Sequence, residues 1–252
     1  MTAEYVAHPA ITAAHGFFTR VGGVSSGPYT SLNCSLSAGD DPENLAQNRA
    51  LVAHALGADP AHLLGLSQIH SADVVTATAP WLAGQGARAD ALVTRTPGLA
   101  ISVITADCAP VLFHDRVNGV VGAAHAGWRG AVGGVLEATI DAMVGLGATR
   151  ATIVAVIGPC IAQTSYEVGP DLRDQVLAAN PAAAAFFTPG RPPDRFWFDL
   201  PGYCAARLTA AGITAHALGL DTVADEARFF SHRRRTLRNE GSIGHQISAI
   251  MR

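Results

Sequence analysis

Apolar residues in this chain fall mostly in short runs broken by Gly, Pro, Asn and Asp, the signature of strands rather than long helices. The clearest are Val111–Asp115 and Gly119–Ala124, separated by a stretch ending in Asn118-Gly119, a strong tight-turn signal. They predict a hairpin, with Cys108 just before its first strand and His125 just after its second. Further strands are expected at Gly16–Thr19, Leu63–His70, Ala89–Thr94, Ala100–Thr105 and Ile213–Leu218, with Thr96-Pro97-Gly98 as a turn. Thr152–Ile157 is almost continuously apolar and reads as buried on both faces. Ile243–Arg252 is expected to close the chain as an edge strand.

Helical spacing appears in fewer places. Asp41 as N-cap, Pro42 at the first position and Gly57 past the end delimit a helix over 42–56. Its Arg49 is expected on the wet face. Amphipathic stretches predict helices over Val132–Leu146, from Pro170 to Ala179 and over Leu200–Ala211. Residues 15–36 read as an ordered loop, 180–196 as a Pro-rich mobile connection, and 221–225 as a polar turn. Phe229–Arg233 is too aromatic for a pure loop. Mixed strands and helices without strict alternation predict an α+β or mixed-sheet α/β sandwich in one domain, 1–252.

Composition narrows the function. With 49% hydrophobic and 15% charged residues, most of the 252-residue chain is meant to be buried. A net charge of −3 advertises no basic face for nucleic acid. The one basic run, Arg233–Arg235, is expected to be solvated surface. Four widely spaced cysteines fit a reducing compartment, and neither a signal peptide nor a membrane span is seen, so a cytoplasmic protein is expected.

The hairpin brings Cys108 and His125 to one end of a sheet. His70, at the end of the Leu63–His70 run, is a third donor, and the three follow at intervals of 38 and 17 positions. Two imidazoles and a thiolate suit zinc and leave a fourth position for water; copper also accepts this set. The spacing matches no compact finger. After His125 the chain runs Ala-Gly-Trp-Arg-Gly into a helix, whose free N–H groups and Arg129 favour an anion; Arg20, beside Gly22-Gly23, is a second anion candidate. Cys108 with His125 equally fits a nucleophile–base pair of a cysteine hydrolase. Deaminase, Walker and dinucleotide motifs are absent.

Several segments together resemble one family: Phe17-Phe-Thr-Arg20-x-Gly-Gly-Val-Ser, Ser31-Leu-Asn33, Asn48-Arg49, Gln68-Ile-His70, Ala106-Asp-Cys108-x-Pro-Val-Leu, His125-Ala-Gly-Trp-Arg-Gly130, Ile157-Gly-Pro-Cys160-Ile and Phe229-Phe-Ser-His-Arg-Arg. They resemble the YfiH family, also called the multicopper polyphenol oxidase or laccase-domain family, in order across nearly the whole chain. The resemblance implies a layered α/β/β/α domain similar to the catalytic domain of cytotoxic necrotizing factor. It implies zinc on His70, Cys108 and His125, and phosphorolysis of adenosine, inosine and methylthioadenosine with adenosine deamination. Purine nucleoside and phosphate are the implied partners; nucleic acid and membrane are not. Arg20, Asn33 and Arg129 are then candidates for substrate or anion contacts, Arg129 and Asp107 for catalysis, with Asp107 as a proton carrier or as a residue that orients the metal loop. The older laccase label sits poorly with ten scattered histidines and no His-x-His pair. A role in peptidoglycan-precursor quality control is a further implication. Gly244-His245-Gln246 departs from the Gly-Arg-Gln of many relatives, so an anion contact there would be weakened and pH-dependent.

Overall fold

The hairpin turn shows how local chemistry builds the sheet. Asp115 accepts hydrogen bonds from the Val117 and Asn118 amides at 3.0 and 3.2 Å, and Asn118 Nδ2 donates to its other oxygen at 2.8 Å. Gly119 completes the turn at φ +64°, a left-handed value that suits glycine. The turn pairs β7 (Ala109–Asp115) with β8 (Val120–Ala126) in register, Asp115 opposite Val120 and Pro110 opposite His125.

In this computed structural model, which describes residues 2–252, β7 and β8 lie at the centre of a six-stranded mixed sheet. Its order is β13 (Thr214–Ala217), β9 (Ile153–Ile157), β7, β8, β5 (Ala91–Thr94) and β4 (Val74–Thr76). A five-stranded sheet runs β1 (Tyr5–Val6), β2 (His15–Phe18), β14 (Gln246–Met251), β6 (Ala100–Thr105) and β3 (Leu63–Leu64). Residues alternate between two cores. Leu92, Leu112, Val121, Ala123 and Val156 meet Phe17, Leu64, Ile101, Val103 and Ile250 of the other sheet. Their neighbours Val93, Val111, Phe113, Val120 and Ala124 face the helices.

On that outer side lie α2 (Trp128–Gly133), α3 (Val135–Gly145) and α5 (Leu200–Ala210); the other sheet is covered by α1 (Pro42–Leu56), through Val52, Ala53 and Leu56. The expected α/β/β/α layering is therefore present. No helix among the described residues is long and apolar enough to cross a membrane.

Four expectations are corrected. Residues 246–251 form no edge strand: β14 pairs with β2 on one side and β6 on the other, which is why it is almost wholly buried. The run from Leu63 is a strand only to Leu64. Beyond it the Gln68 side chain takes over the pairing, accepting from the Ile104 amide and donating to the Ile104 carbonyl, both at 2.8 Å. The helix expected over 132–146 starts at Trp128 and breaks at Gly134, which sits at φ +95°. Residues 180–196 are ordered rather than a bare connection. A 3-10 turn over Pro181–Phe186 leads into β11 (Phe187–Pro189), and β12 (Phe196–Phe198) joins it to β10 (Glu167–Val168), ahead of α4 (Pro170–Ala179). Stacking of Phe187 on Phe198, with ring centroids 4.6 Å apart, closes that small sheet.

Candidate metal centre

Register brings the three donors together. His125 lies one residue before the end of β8 and Cys108 precedes β7, so both stand at the same end of the six-stranded sheet. His70 arrives from the loop that Gln68 pins to β6. The three ligand atoms lie within 4.8 Å of one another, with Cys108 Sγ 3.9 Å from His70 Nε2. Two tetrahedral zinc ligands, one N and one S, stand about 3.5 Å apart, so only a small closure is needed. A metal also needs room, and Gly127 supplies it. A Cβ there would lie 2.9 Å from both Cys108 Sγ and His70 Cδ2. The donor chemistry and this cradle both fit zinc.

Asp90 organises the centre from behind. Fully buried, it accepts from His125 Nδ1 at 2.8 Å and, on its other oxygen, from the Ser71 and Ile69 amides at 2.6 and 3.1 Å. Those amides flank His70, whose φ of +60° is uncommon for a residue with a Cβ. One carboxylate thus sets the His125 tautomer, leaving Nε2 for a ligand, and holds the strained His70 loop. Burial alone would raise Asp90, but His125 and the two amides bring it down to about 2. Likewise burial opposes ionisation of Cys108, yet the His125 charge and the hydrogen bonds of both histidines bring the thiol down to about 6. Cys34 and Cys204 are pushed up to about 12 by burial, and Cys160 is raised as well. The exposed His70, half-buried Cys108 and buried His125 open onto a cavity of about 840 Å³, within the range of small-molecule sites.

Asp107 lines this cavity at φ +98°, but both oxygens are occupied. One accepts from Thr222 Oγ1 at 2.7 Å, the other from the Arg233 amide at 2.6 Å. As it stands it orients the loop carrying Cys108. Arg129 is exposed and stacks on Trp128, 4.3 Å from its ring, and α2 is too short to present a strong helix dipole. Three expected residues, Arg129, Arg20 and Asn33, stay out of the cavity lining. Arg20 stacks on Phe230 and donates to the carbonyls of Thr30 and Glu226. Asn33 is fully buried, bonded to Asp40, Ser35 and His245. Arg20 and Asn33 both tie loops together.

The cavity also holds residues that spacing did not single out. Arg49 is buried, contrary to its expected wet face, and donates to the Leu63 carbonyl. The 233–235 run is not a solvated cluster: Arg234 is buried among the carbonyls of Thr222, Val223 and Phe229, and Arg233 lies over the Tyr166 ring facing the cavity. Asp90 stands at the start of the Ala89–Thr94 run, but its role depends on β5 pairing with β8, which sets Ala91 opposite Ala124. Only that register shows Asp90 beside His125.

Residues 14–252 match the family described as multi-copper polyphenol oxidoreductase laccase. The chain is 43% identical over 225 residues to a purine nucleoside phosphorylase of Streptomyces coelicolor, covering 89% of this chain and 91% of that one. It is 39% identical over 219 residues to the purine nucleoside phosphorylase YfiH of Escherichia coli, covering 86% of each. Among solved structures, a Neisseria meningitidis protein superposes with a TM-score of 0.85 at 37% identity, covering 100% of this chain and 98% of the other. The Bacillus licheniformis protein YfiH does so with 0.85 at 30% identity, covering 94% and 91%.

Proposed function

Since the chain belongs to the YfiH family, the multi-copper polyphenol oxidoreductase laccase family, we propose that it is a zinc-dependent purine nucleoside phosphorylase. Its nucleosides in this reading are adenosine, inosine and S-methyl-5′-thioadenosine, and adenosine is also deaminated, in the cytoplasm and without a nucleic-acid or membrane partner. The observation that carries it is the His70–Cys108–His125 set opening onto a cavity roomy enough for a nucleoside, in a chain whose relatives bear the phosphorylase name.

In phosphorolysis a phosphate oxygen bonds to ribose C1′ while the C1′–N9 bond breaks and the purine leaves with the electron pair. When bound, zinc supplies Lewis acidity at the triad end of the cavity. The protein's own groups do the rest. Asp90 fixes both histidines, Asp107 holds the Cys108 loop against residues 222 and 233, and Tyr166 with Trp128 offers aromatic faces for a purine. Arg233, facing the cavity, stands ready to neutralise negative charge, with the exposed Arg129 on Trp128 as a second cation. Three donors form a mononuclear centre, whereas multicopper oxidation needs several ions, so the polyphenol oxidase reading is not adopted.

A second reading rests on its own observation: Cys108, His125 and Asp90 also form a thiol–imidazole–carboxylate chain, the arrangement of a cysteine hydrolase. One experiment separates the two. Zinc-loaded protein is incubated with adenosine, with and without phosphate, and products are identified. Free adenine with ribose phosphate, or inosine, lost on chelation and in Cys108→Ala, upholds the first. No nucleoside product, with an alkylation-sensitive but chelation-resistant hydrolysis of an amide or ester, would overturn it.

A further inference from the structure

Arg49 is a buried cation without a counter-charge. Only 8% exposed, it makes one hydrogen bond, Nη2 to the Leu63 carbonyl at 2.9 Å. No carboxylate among the described residues pairs with it. The one ionisable neighbour whose charge it feels is Cys34, a thiol that burial pushes up to about 12 and so keeps neutral. A guanidinium has five donors, and burying it unpaired is unfavourable unless something else answers the charge. Arg49 lines the large cavity, in company with Ser35, Gly65 and Ser102.

The space before it is shaped by glycine. A Cβ on Gly65 would sit 3.7 Å from Arg49 Nη2, 4.0 Å from Nη1 and 3.7 Å from Ser102 Oγ. It would meet ordinary contact distances and no strain, yet it would occupy the approach to the fork. The location is distinct from the triad. Ser102 and Thr105 are three residues apart on β6, roughly 10 Å at about 3.3 Å per residue, and Cys108 lies beyond Thr105. Midway, Thr105 Oγ1 is buried without a partner.

We propose that the Arg49 end of the cavity is an oxyanion subsite taking a phosphoryl-class group, held by the planar guanidinium fork, with the remainder of the ligand reaching past Thr105 toward His70, Cys108 and His125. A fork of this kind matches phosphate oxygens in pairs. As the seat of the phosphate co-substrate the assignment rests on the phosphorylase reading; as an oxyanion subsite it rests on Arg49 itself.

The test is a calorimetric titration of zinc-loaded protein with inorganic phosphate, and separately with adenosine 5′-monophosphate, using wild type, Arg49→Gln and Gly65→Ala. Gly65→Ala keeps the charge and the Leu63 contact, so it answers for any folding defect of Arg49→Gln. Saturable binding that weakens about 10- to 100-fold in Arg49→Gln, and also weakens in Gly65→Ala, at unchanged zinc content, upholds the subsite. Tighter phosphate than nucleotide assigns it to the free co-substrate, and the reverse assigns it to a 5′-phosphate; either upholds it. Binding unchanged in both variants, or no saturable binding of either anion, overturns it. Nucleoside cleavage with an unaltered phosphate KM in Arg49→Gln would sink the subsite and spare the phosphorylase. Arg49-dependent phosphate binding without cleavage would do the opposite.

Discussion

The two walls of the cavity are made in opposite ways. One is the end of the six-stranded sheet, where β7, β8 and β5 deliver Cys108, His125 and Asp90 as a consequence of register. The other is residues 221–246, which before Gln246 pair only through an isolated bridge of Asp221 to Cys160 and are otherwise held largely by side chains gripping backbone. Asp107 reaches Thr222 and the Arg233 amide, Arg234 collects three carbonyls, and Gln246 brackets Phe230 through both its amide and its carbonyl. The clamps join residues 115 and 126 positions apart. Chemistry placed on the first wall inherits the rigidity of a ladder. The second can adjust to a ligand, because each clamp is only one to three hydrogen bonds.

The sharpest way to break the comparison is at Cys108. Cys108→Ala should lose bound zinc and lower nucleoside turnover on the order of 10³-fold, with far-UV circular dichroism unchanged, because the half-buried thiol carries little of the core. Metal analysis and product assay check it together. Turnover surviving in this variant would move the chemistry to the other wall. Next in size is Asp90→Asn. The asparagine retains the shape, but one of its two positions now donates, so either His125 or the Ser71 and Ile69 amides lose an acceptor. Chelator competition should show zinc affinity lower by roughly 10- to 100-fold. Affinity equal to wild type would mean that the ladder alone orients the ligands.

The second wall is probed by Thr222→Val, close in shape but without the hydroxyl that Asp107 accepts from. It should destabilise the chain by about 1–3 kcal/mol, read as a fall in Tm of a few degrees. Zinc content should stay at the wild-type level while the nucleoside KM rises. A zinc loss equal to that of Asp90→Asn would show that the two walls are not separable, because Asp107 adjoins Cys108.

How much of this was legible before folding follows the same division. The hairpin, the 42–56 helix and the strand at Ala100–Thr105 rest on local period and capping, and the Cys108–His125 convergence came directly from the Asn118-Gly119 turn. His70 stands out as a third donor at the end of the Leu63–His70 run, a set that spacing alone leaves weak and the family motifs strengthen. Asp90, Arg49 and Arg233 were misread or passed over for one physical reason: their roles are set by partners far along the chain. An Arg on a helix resembles a wet-face residue until the fold places it under Gly65. A run of three arginines resembles a solvated patch until carbonyls of a loop close around the middle one. β14 resembles an edge strand in sequence because nothing local marks a strand as paired on both sides.

The smallest effect sharpens the comparison through pH. His245, on the second wall, leaves Nδ1 buried without a partner while its amide donates to Asn33 Oδ1. Burial first, and then the charges of His232, His125 and Arg235, bring its pKa down to about 4. The folded chain therefore keeps His245 neutral where the unfolded chain, near pKa 6.5, takes up a proton. Its stabilising contribution is complete above pH 6.5 and is lost as pH falls toward 4, about 2 kcal/mol of it between pH 7.5 and 5. The pair on the first wall behaves otherwise: Asp90 adds to stability until the pH falls well below 4, because it is lowered to about 2. Urea unfolding of wild type and His245→Gln, both zinc-loaded, at pH 7.5 and 5 isolates the histidine, since zinc loss in acid and the other histidines are common to both. The variant should lose about 2 kcal/mol less than wild type over that interval. Equal losses would mean that His245 reaches water in the folded chain, and that the second wall opens more readily than its clamps imply.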